Sequence, residues 1–284
     1  MQEKQIQWFP GHMAKTRRLI SENLKNVDIT IEILDARIPG SSRNPEIVRL
    51  TEAKPSLILL NKCSLADPVQ TKIWVDKYTS DSSVCIATDC VTGEGLNRLA
   101  PAVKGILSEK VARYEQKGME GRTLKAMVLG IPNVGKSSLI NKISGAKKAK
   151  VENRPGVTLD KQWVSTNIGI TLLDMPGVLW PKFDDANIGE NLAATGAIKD
   201  AILDIETLAI ALCGKLRRLY PALLCSRYKL TELPECNNYE LLQLIGKKRG
   251  FLISGGETDT ERTANMLIDE FRSGKLGRIT LDRI

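Results

Sequence analysis

The sequence predicts an α/β protein: a mostly parallel sheet with helices on both faces, continued by an all-helical C-terminal part. Three observations predict it. Short aliphatic runs alternate with helical patterns between residues 29 and 174. A glycine-rich loop of phosphate-binding form separates one such run from a helix. Near residue 185 the alternation stops and long amphipathic patterns take over.

The elements follow in order. Met13, Ile20, Leu24 and Val27 fall near helical spacing, so residues 13–27 are expected to be helical, with Lys15, Arg17 and Arg18 crowding the first half. Ile29 to Leu34 is a β-branched run ending at Asp35, and the turn formers of "DARIPGSSRNPE" make a loop after it. Leu57 to Leu60 is an uninterrupted apolar strand. Pro68 then suits the first turn of a helix reaching Tyr78. Val84 to Ala87 gives a further strand, and "TGEG" a turn before one helix from about Leu96 to Tyr114. "EQKGMEGRT" reads as a linker, Leu124 to Leu129 as a new strand, and "ITLLDMPG" as another that runs into a turn. From there "AILDIETLAIALCGKLRRLY" and "ERTANMLIDEFRSG" carry helical periodicity. The expected division is residues 1–184 for the α/β domain with its basic N-terminal segment, and 185–284 for a helical domain.

At 284 residues, 42% hydrophobic and 26% charged, the chain has the composition of a globular protein with room for both parts. No run of 18 apolar residues marks a membrane span, and the N-terminus lacks a signal-peptide core. A cytoplasmic, monomeric protein is expected. Its six cysteines include no Cys-x-x-Cys pair, so they are expected to be core or half-buried thiols. A net charge of +8 favours a polyanionic partner.

"LGIPNVGKSSL" contains Gly130-x-x-x-x-Gly135-Lys136-Ser137 between a strand and a helix, the setting that gives this pattern its meaning. The amides from Asn133 and Val134 through Gly135, Lys136, Ser137 and Ser138 are expected to face phosphates at the helix N-terminus. Lys136 is expected to reach the β- and γ-phosphates and the Ser137 hydroxyl to bind Mg²⁺. Downstream, Asp174 ends a hydrophobic strand, where it can hold the metal through water. Gly177 lets its amide approach a γ-phosphate, since no side chain intervenes. Between them Thr158 in "NRPGVT" is placed to complete the metal shell, or is an ordinary turn hydroxyl.

Taken together these residues resemble the translation-factor-related GTPases, but in altered order. "NKCS" comes first, "DCVTGEG" second, the phosphate loop third, "RPGVT" fourth and "DMPG" last, which resembles a circular permutation of a P-loop GTPase domain. "QWFPGHMAKTRR", "LDARIPGSSRNP", "GIPNVGKSSLIN", "DMPGVLWPKF" and "TGAIKD" are similar to the ribosome biogenesis GTPase A family over nearly the whole chain. Joining neighbouring termini and cutting elsewhere preserves packing, so such a permutation costs little.

The resemblance implies GTP as substrate and GDP as product, Mg²⁺, and a guanine site from Asn61, Lys62, Ser64, Asp89 and Cys90. Two of these depart from the family pattern. Ser64 stands where the guanine-reading carboxylate belongs, and Asp89–Cys90 where Ser-Ala is usual. Discrimination against ATP is therefore open. Val178 occupies the place where many GTPases carry a water-orienting Gln. His12, the sole histidine, is the catalytic candidate implied instead, the other reading being an RNA-contacting or surface residue. Asn133 resembles the asparagine of potassium-stimulated GTPases, or is a plain turn residue. Lys15, Arg17 and Arg18, flanked by Trp8 and Phe9, are candidate RNA contacts. Further basic groups are Lys147, Lys148 and Lys150; Lys215, Arg217 and Arg218; and Lys247, Lys248 and Arg249. The implied role is GTP hydrolysis in late maturation of the large (50S) ribosomal subunit, with the precursor particle, rRNA and ribosomal proteins, as partner. Two alternatives stay open: an RNA-binding switch with negligible turnover, and a purine NTPase of relaxed base specificity.

Overall fold

A computed structural model describes residues 10–80, 82–119, 121–145, 162–180, 185–198 and 204–284, the side chains of 10–13 excepted. Six strands form one sheet: β1 (Ile29–Asp35), β2 (Ser56–Asn61), β3 (Ser83–Ala87), β4 (Leu124–Leu129), β5 (Gln162–Ser165) and β6 (Ile170–Asp174). Their spatial order is β3-β2-β1-β4-β6-β5. All pairings are parallel except β5 with β6. The order reverses around β1 and β4, where the carboxyl ends of adjacent strands open a crevice, the usual ligand position in such sheets.

Period-two alternation sorts the strand side chains. Ile29, Ile31 and Ile33 of β1 join Ala126 and Val128 of β4 on one face, while Leu34 faces the opposite side, as do Met127 and Leu129. The first face is covered by α4 (Leu99–Ile106), α5 (Ser108–Gln116) and α6 (Lys136–Ser144). The second is covered by α1 (Pro10–Leu24), α2 (Pro45–Thr51) and α3 (Pro68–Tyr78), through Ile20, Ile47 and Trp74. Burial on both faces explains why the parallel strands read as continuous apolar runs.

Three local expectations change. The helix expected over 13–27 runs from Pro10 to Leu24, and Val27 packs beyond its end as part of the core. The single helix expected from Leu96 to Tyr114 is a 3₁₀ turn followed by α4 and α5, broken at buried Leu107 with φ −100° and ψ 20°. Strand β5 was not expected: it is four residues long and buries only Val164.

No described residue after β6 re-enters the sheet. It continues as α7 (Ala186–Ala194), α8 (Ile205–Leu219), α9 (Pro221–Tyr228), α10 (Asn238–Lys248) and α11 (Thr260–Arg272). Asp185, Asp204, Asn237 and Asp259 cap the N-termini of α7, α8, α10 and α11. The Glu270 carboxylate accepts from Arg227, Arg249 and the Tyr228 hydroxyl, pinning α11 to α9 and the end of α10. The C-terminal strip returns to the α/β part. Ile279 N donates to Leu65 O at 3.0 Å and Leu281 N to Arg37 O at 2.7 Å. Asp282 accepts from Ser41 and Asn191. One apolar cluster therefore runs from β1 and β4 through to α8, α10 and α11. As expected, Cys63, Cys85, Cys90 and Cys213 are buried and Cys225 and Cys236 half-buried. Burial pushes the Cys63 thiol up to about 11 and the Cys90 thiol up to about 12, so both stay protonated at neutral pH.

Candidate functional site

The crevice at the carboxyl ends of the strands is built by four loops, those after β4, β6, β2 and β3. The β4–α6 loop is the glycine-rich one. Gly135 caps α6 at φ +104°, and a side chain there would lie 2.2 Å from Asn61 Nδ2, so glycine is demanded by conformation and by space. Lys136 is buried. Its ammonium donates to Gly130 O at 3.0 Å and Ile131 O at 2.8 Å, curling back over the loop. Burial lowers its pKa to about 8, with nearby Asp174 opposing. Ser137 and Ser138 follow in the first turn of α6, both half-buried, and Val134 is buried beneath them.

Asp174 ends β6, next to β4 in the sheet. Burial raises its carboxyl to about 6 although Lys136 pulls the other way. Its Oδ1 is buried with no hydrogen-bond partner among the described residues. An ionised oxygen cannot stay unpaired at such depth without cost, so the position suits a cation or its bound water. Gly177 lies against the phosphate loop: a Cβ there would meet Lys136 Nζ and Pro132 N, each at 2.9 Å. Val178 is buried, and its carbonyl accepts from Asn44 Nδ2 at 3.0 Å.

The third and fourth loops follow β2 and β3. Asn61, the last residue of β2, is buried. Its Nδ2 donates to Val134 O at 2.7 Å and its Oδ1 accepts from Cys90 N at 3.1 Å. One side chain thus ties the phosphate loop to both loops expected to meet a base, across 73 residues of sequence. Lys62, at φ +61°, donates to Asn133 O at 2.7 Å and to Asp35 Oδ2 at 2.9 Å. Asp35 is fully enclosed and also receives Arg37 Nε at 2.9 Å and Nη2 at 2.7 Å. Despite burial, the charges of Arg37 and Lys62 hold its carboxyl far below the usual range. Ser64 donates its hydroxyl to Asp89, whose other oxygen accepts from Val91 N at 2.7 Å and Thr92 N at 3.0 Å. Asp67, three residues past Ser64, is not directed at this crevice. It caps α3 and accepts from the Tyr220 hydroxyl at 2.9 Å.

The sequence-predicted residues Asn61, Lys62, Ser64, Asp89, Cys90, Asn133, Val134, Gly135, Lys136, Asp174 and Gly177 therefore line one connected region. Thr158 lies outside the described residues, as do Lys147, Lys148 and Lys150. His12 lies in α1, but its side chain is outside the description. Of the basic groups, Arg17 pairs with Glu46 at 2.9 Å and Arg18 with Glu22 at 2.7 Å, and Lys15, Arg17 and Arg18 are all exposed. Lys215 is engaged by Glu190 and Asn191, Arg217 by Pro234 and Cys236, and Arg249 by Glu270. Lys215 joins α8 to α7, Arg217 joins α8 to the loop before α10, and Arg249 joins the end of α10 to α11. Two parts of the site were missed by sequence reasoning. One is the Asp35–Arg37 pair behind Lys62. The other is the bond from Asn133 Nδ2 to Gly196 O at 2.6 Å, which fastens the phosphate loop to the helical part. "DAR" and "TGAIKD" both stood out in the sequence, but nothing in either names its partner.

Known proteins resemble this chain over nearly its whole length. The family model described as 50S ribosome-binding GTPase matches residues 125–215. Ribosome biogenesis GTPase A of Priestia megaterium is 46% identical over 278 residues, covering 98% of this chain and 96% of that protein. Mitochondrial ribosome-associated GTPase 1 of Mus musculus is 33% identical, covering 97% and 90%. The crystal structure of GNP-bound YlqF from T. maritima superposes with a TM-score of 0.63 at 26% identity, covering 95% of this chain and 98% of that one. Near-full-length identity, the permuted order of loops and their convergence on one crevice make this chain a GTPase and a member of the ribosome biogenesis GTPase A family.

Proposed function

We propose that the chain acts in late maturation of the large ribosomal subunit, binding the precursor particle with GTP and leaving after hydrolysis. The observation that carries the reading is Asn61, which bridges Val134 O and Cys90 N. It joins a base-reading loop to a phosphate loop in one crevice. Residues 1–184 would form the nucleotide-hydrolysing part and 185–284 the part engaging rRNA and ribosomal proteins, in a monomeric cytoplasmic protein. No helix among the described residues is long and apolar enough to cross a membrane.

The site residues take their roles from chemistry. The amides of residues 133–138 and the Lys136 ammonium would hold the phosphates. Ser137 and Asp174 would hold Mg²⁺, with Thr158 as a further ligand, and the unpaired Asp174 Oδ1 is the atom that fits it. When bound, the metal supplies charge neutralisation between the β- and γ-phosphates. Asn133 spends its Nδ2 on Gly196, so its Oδ1 is the atom that would take K⁺. Asn61 would meet the purine with the second proton of its Nδ2, the Cys90 amide, which donates to Asn61 Oδ1, would hold that side chain in place, and Lys62 would flank the base. Val178 has no group that could orient water, so His12 would supply that step from the N-terminal segment. Lys15, Arg17 and Arg18 would approach rRNA phosphates.

The test is GTP turnover by the full chain with and without immature large subunits, for wild type and His12→Ala. The proposal expects acceleration by the particle and loss of kcat with nucleotide affinity unchanged in the variant. Buried Val178 favours one second reading, a nucleotide-dependent RNA-binding switch. Turnover that stays negligible on the particle would establish that reading instead.

A further inference from the structure

Ser64 and Asp89 each break the expected pattern of a guanine site, but the fold makes them a pair. Ser64 stands on the loop after β2, Asp89 on the loop after β3, and the Ser64 hydroxyl donates to Asp89 Oδ2. The pair lies beside Asn61, whose Oδ1 accepts from the Cys90 amide next to Asp89 in sequence.

We propose that Asp89 and Ser64 form a transposed base-selecting couple, with the carboxylate carried by the opposite loop and the serine hydroxyl as its bridge. The inference rests on the reading of this crevice as the guanine-nucleotide site.

Hydrogen-bond accounting supports it. The proton of Ser64 is committed to Asp89, so the remaining lone pairs of that hydroxyl can only accept. Asp89 Oδ1 takes the Val91 and Thr92 amides, and Gly93 N donates to the Asp89 carbonyl, so the carboxylate is fixed in place. Burial works to neutralise it, yet the Ser64 hydroxyl and the two amides lower its pKa, keeping it ionised at neutral pH. Couple and loop therefore present acceptors and no donor toward the base. Guanine offers two donors on that edge, N1–H and the 2-amino group. Adenine offers a lone pair at N1 and no amine at C2, and xanthine a carbonyl at C2. An acceptor-only couple is fully matched by guanine alone among the three: adenine turns a lone pair at N1 toward it, and xanthine, which keeps N1–H, turns its C2 carbonyl toward it. On this argument the loss of the carboxylate at position 64 does not relax base specificity.

A structural reading competes: Asp89 is merely the cap of the 89–94 turn. Competition of GDP, ADP and XDP against a fluorescent GDP analogue separates the two on the full-length chain, with Ser64→Ala, Asp89→Asn and the exchanged double variant Ser64→Asp/Asp89→Ser. Asp89→Asn is nearly isosteric and can still accept the turn amides, so a cap role predicts unchanged affinity ratios. The couple predicts that GDP weakens about 10- to 100-fold, the range for one bond to a charged group, while XDP gains as the new amide meets its carbonyl. Ser64→Ala lowers the GDP/ADP ratio by a smaller factor, and the exchanged variant restores it to within a few-fold of wild type. Wild-type ratios in Asp89→Asn overturn the couple. Failure of the wild-type chain to prefer GDP over ADP overturns the parent reading, and with it this one. Ratios compare ligands on one folded population, so partial misfolding of a variant does not blur the result.

Discussion

Asp35 lies behind the nucleotide crevice, and its removal tests how the site is supported. The carboxylate is buried and takes three charged donors: Arg37 Nε at 2.9 Å, Arg37 Nη2 at 2.7 Å and Lys62 Nζ at 2.9 Å. It also takes the Arg37 amide at 3.0 Å. Arg37 is 2% exposed and touches the helical part, donating to Arg272 O at 3.3 Å and lying over the Phe271 ring. Asp35→Asn keeps the shape but leaves two cations facing each other around a neutral amide. Breaking a buried pair on one side costs about 3–5 kcal/mol. For a chain of this size about 1 kcal/mol moves Tm by roughly 2–4 °C, so a fall of about 10 °C is expected. Nucleotide affinity should fall too, because Lys62 also holds Asn133 O at 2.7 Å. The pH dependence carries a sign. Arg37 and Lys62 depress the folded pKa of Asp35. Its contribution is therefore fully present above the unfolded value of about 3.9 and is lost as pH falls toward the folded one. The difference between variant and wild type should be flat from pH 8 to 5 and shrink below about 4. Thermal denaturation across that range is the assay. A Tm within 2 °C of wild type at pH 7 would refute the reasoning.

Three further outcomes are expected. Asp174→Asn removes a carboxylate that burial disfavours, so the nucleotide-free chain should lose no thermal stability, while the Mg²⁺ dependence of nucleotide affinity should collapse. An unaltered magnesium titration counts against the assignment. Gly177→Ala would push a methyl to 2.9 Å from Lys136 Nζ and Pro132 N, so affinity for a GTP analogue should drop at least tenfold more than for GDP. Equal losses mean that Gly177 is remote from the γ-phosphate. Asn133→Ala breaks the 2.6 Å bond to Gly196 O. Protease cutting or hydrogen exchange around residues 193–198 should rise, and any stimulation by KCl over NaCl should vanish; exchange unchanged in that segment would show the bond to be idle.

How much of this was legible in the sequence depends on range. The phosphate loop is local: eight consecutive residues define it, and strand, turn and helix stand in order around it. The nearness of Asn61 and Cys90 to that loop was legible for the same reason, since each sits in its own short motif, and permutation reorders motifs without scrambling them. Position 64 shows the limit. Read alone, Ser64 is a lost carboxylate and Asp89 an oddity; only the pairing of β2 with β3 makes them a hydrogen-bonded couple 25 residues apart. The ties to the helical part lie further out, Asn133 to Gly196 across 63 residues and Ser41 to Asp282 across 241, and no periodicity encodes such pairs. Strand β5 escaped because four residues with one buried side chain carry no pattern.

The same long-range ties bear on how the molecule can move. The covalent link from β6 to α7 is short, but it is not the main connection between the two parts. Gly196 holds the phosphate loop through Asn133. Arg272 donates to Ala193 and Ala194 in the segment that precedes Gly196, while its own carbonyl accepts from Arg37. Arg37 returns through Asp35 and Lys62 to the carbonyl of Asn133. The circuit closes on the residue from which it began. A shift of the phosphate loop on binding a triphosphate must therefore stretch the Asn133–Gly196 bond, the Lys62–Asn133 bond or the fully buried Asn61–Val134 bond. The first leads to the helices, the second to the loop after β2. The second rests on a buried, charge-paired carboxylate that is costly to disturb, and the first is a single neutral hydrogen bond worth about 1 kcal/mol. The weaker link yields first, so the helical part is where nucleotide state should be felt.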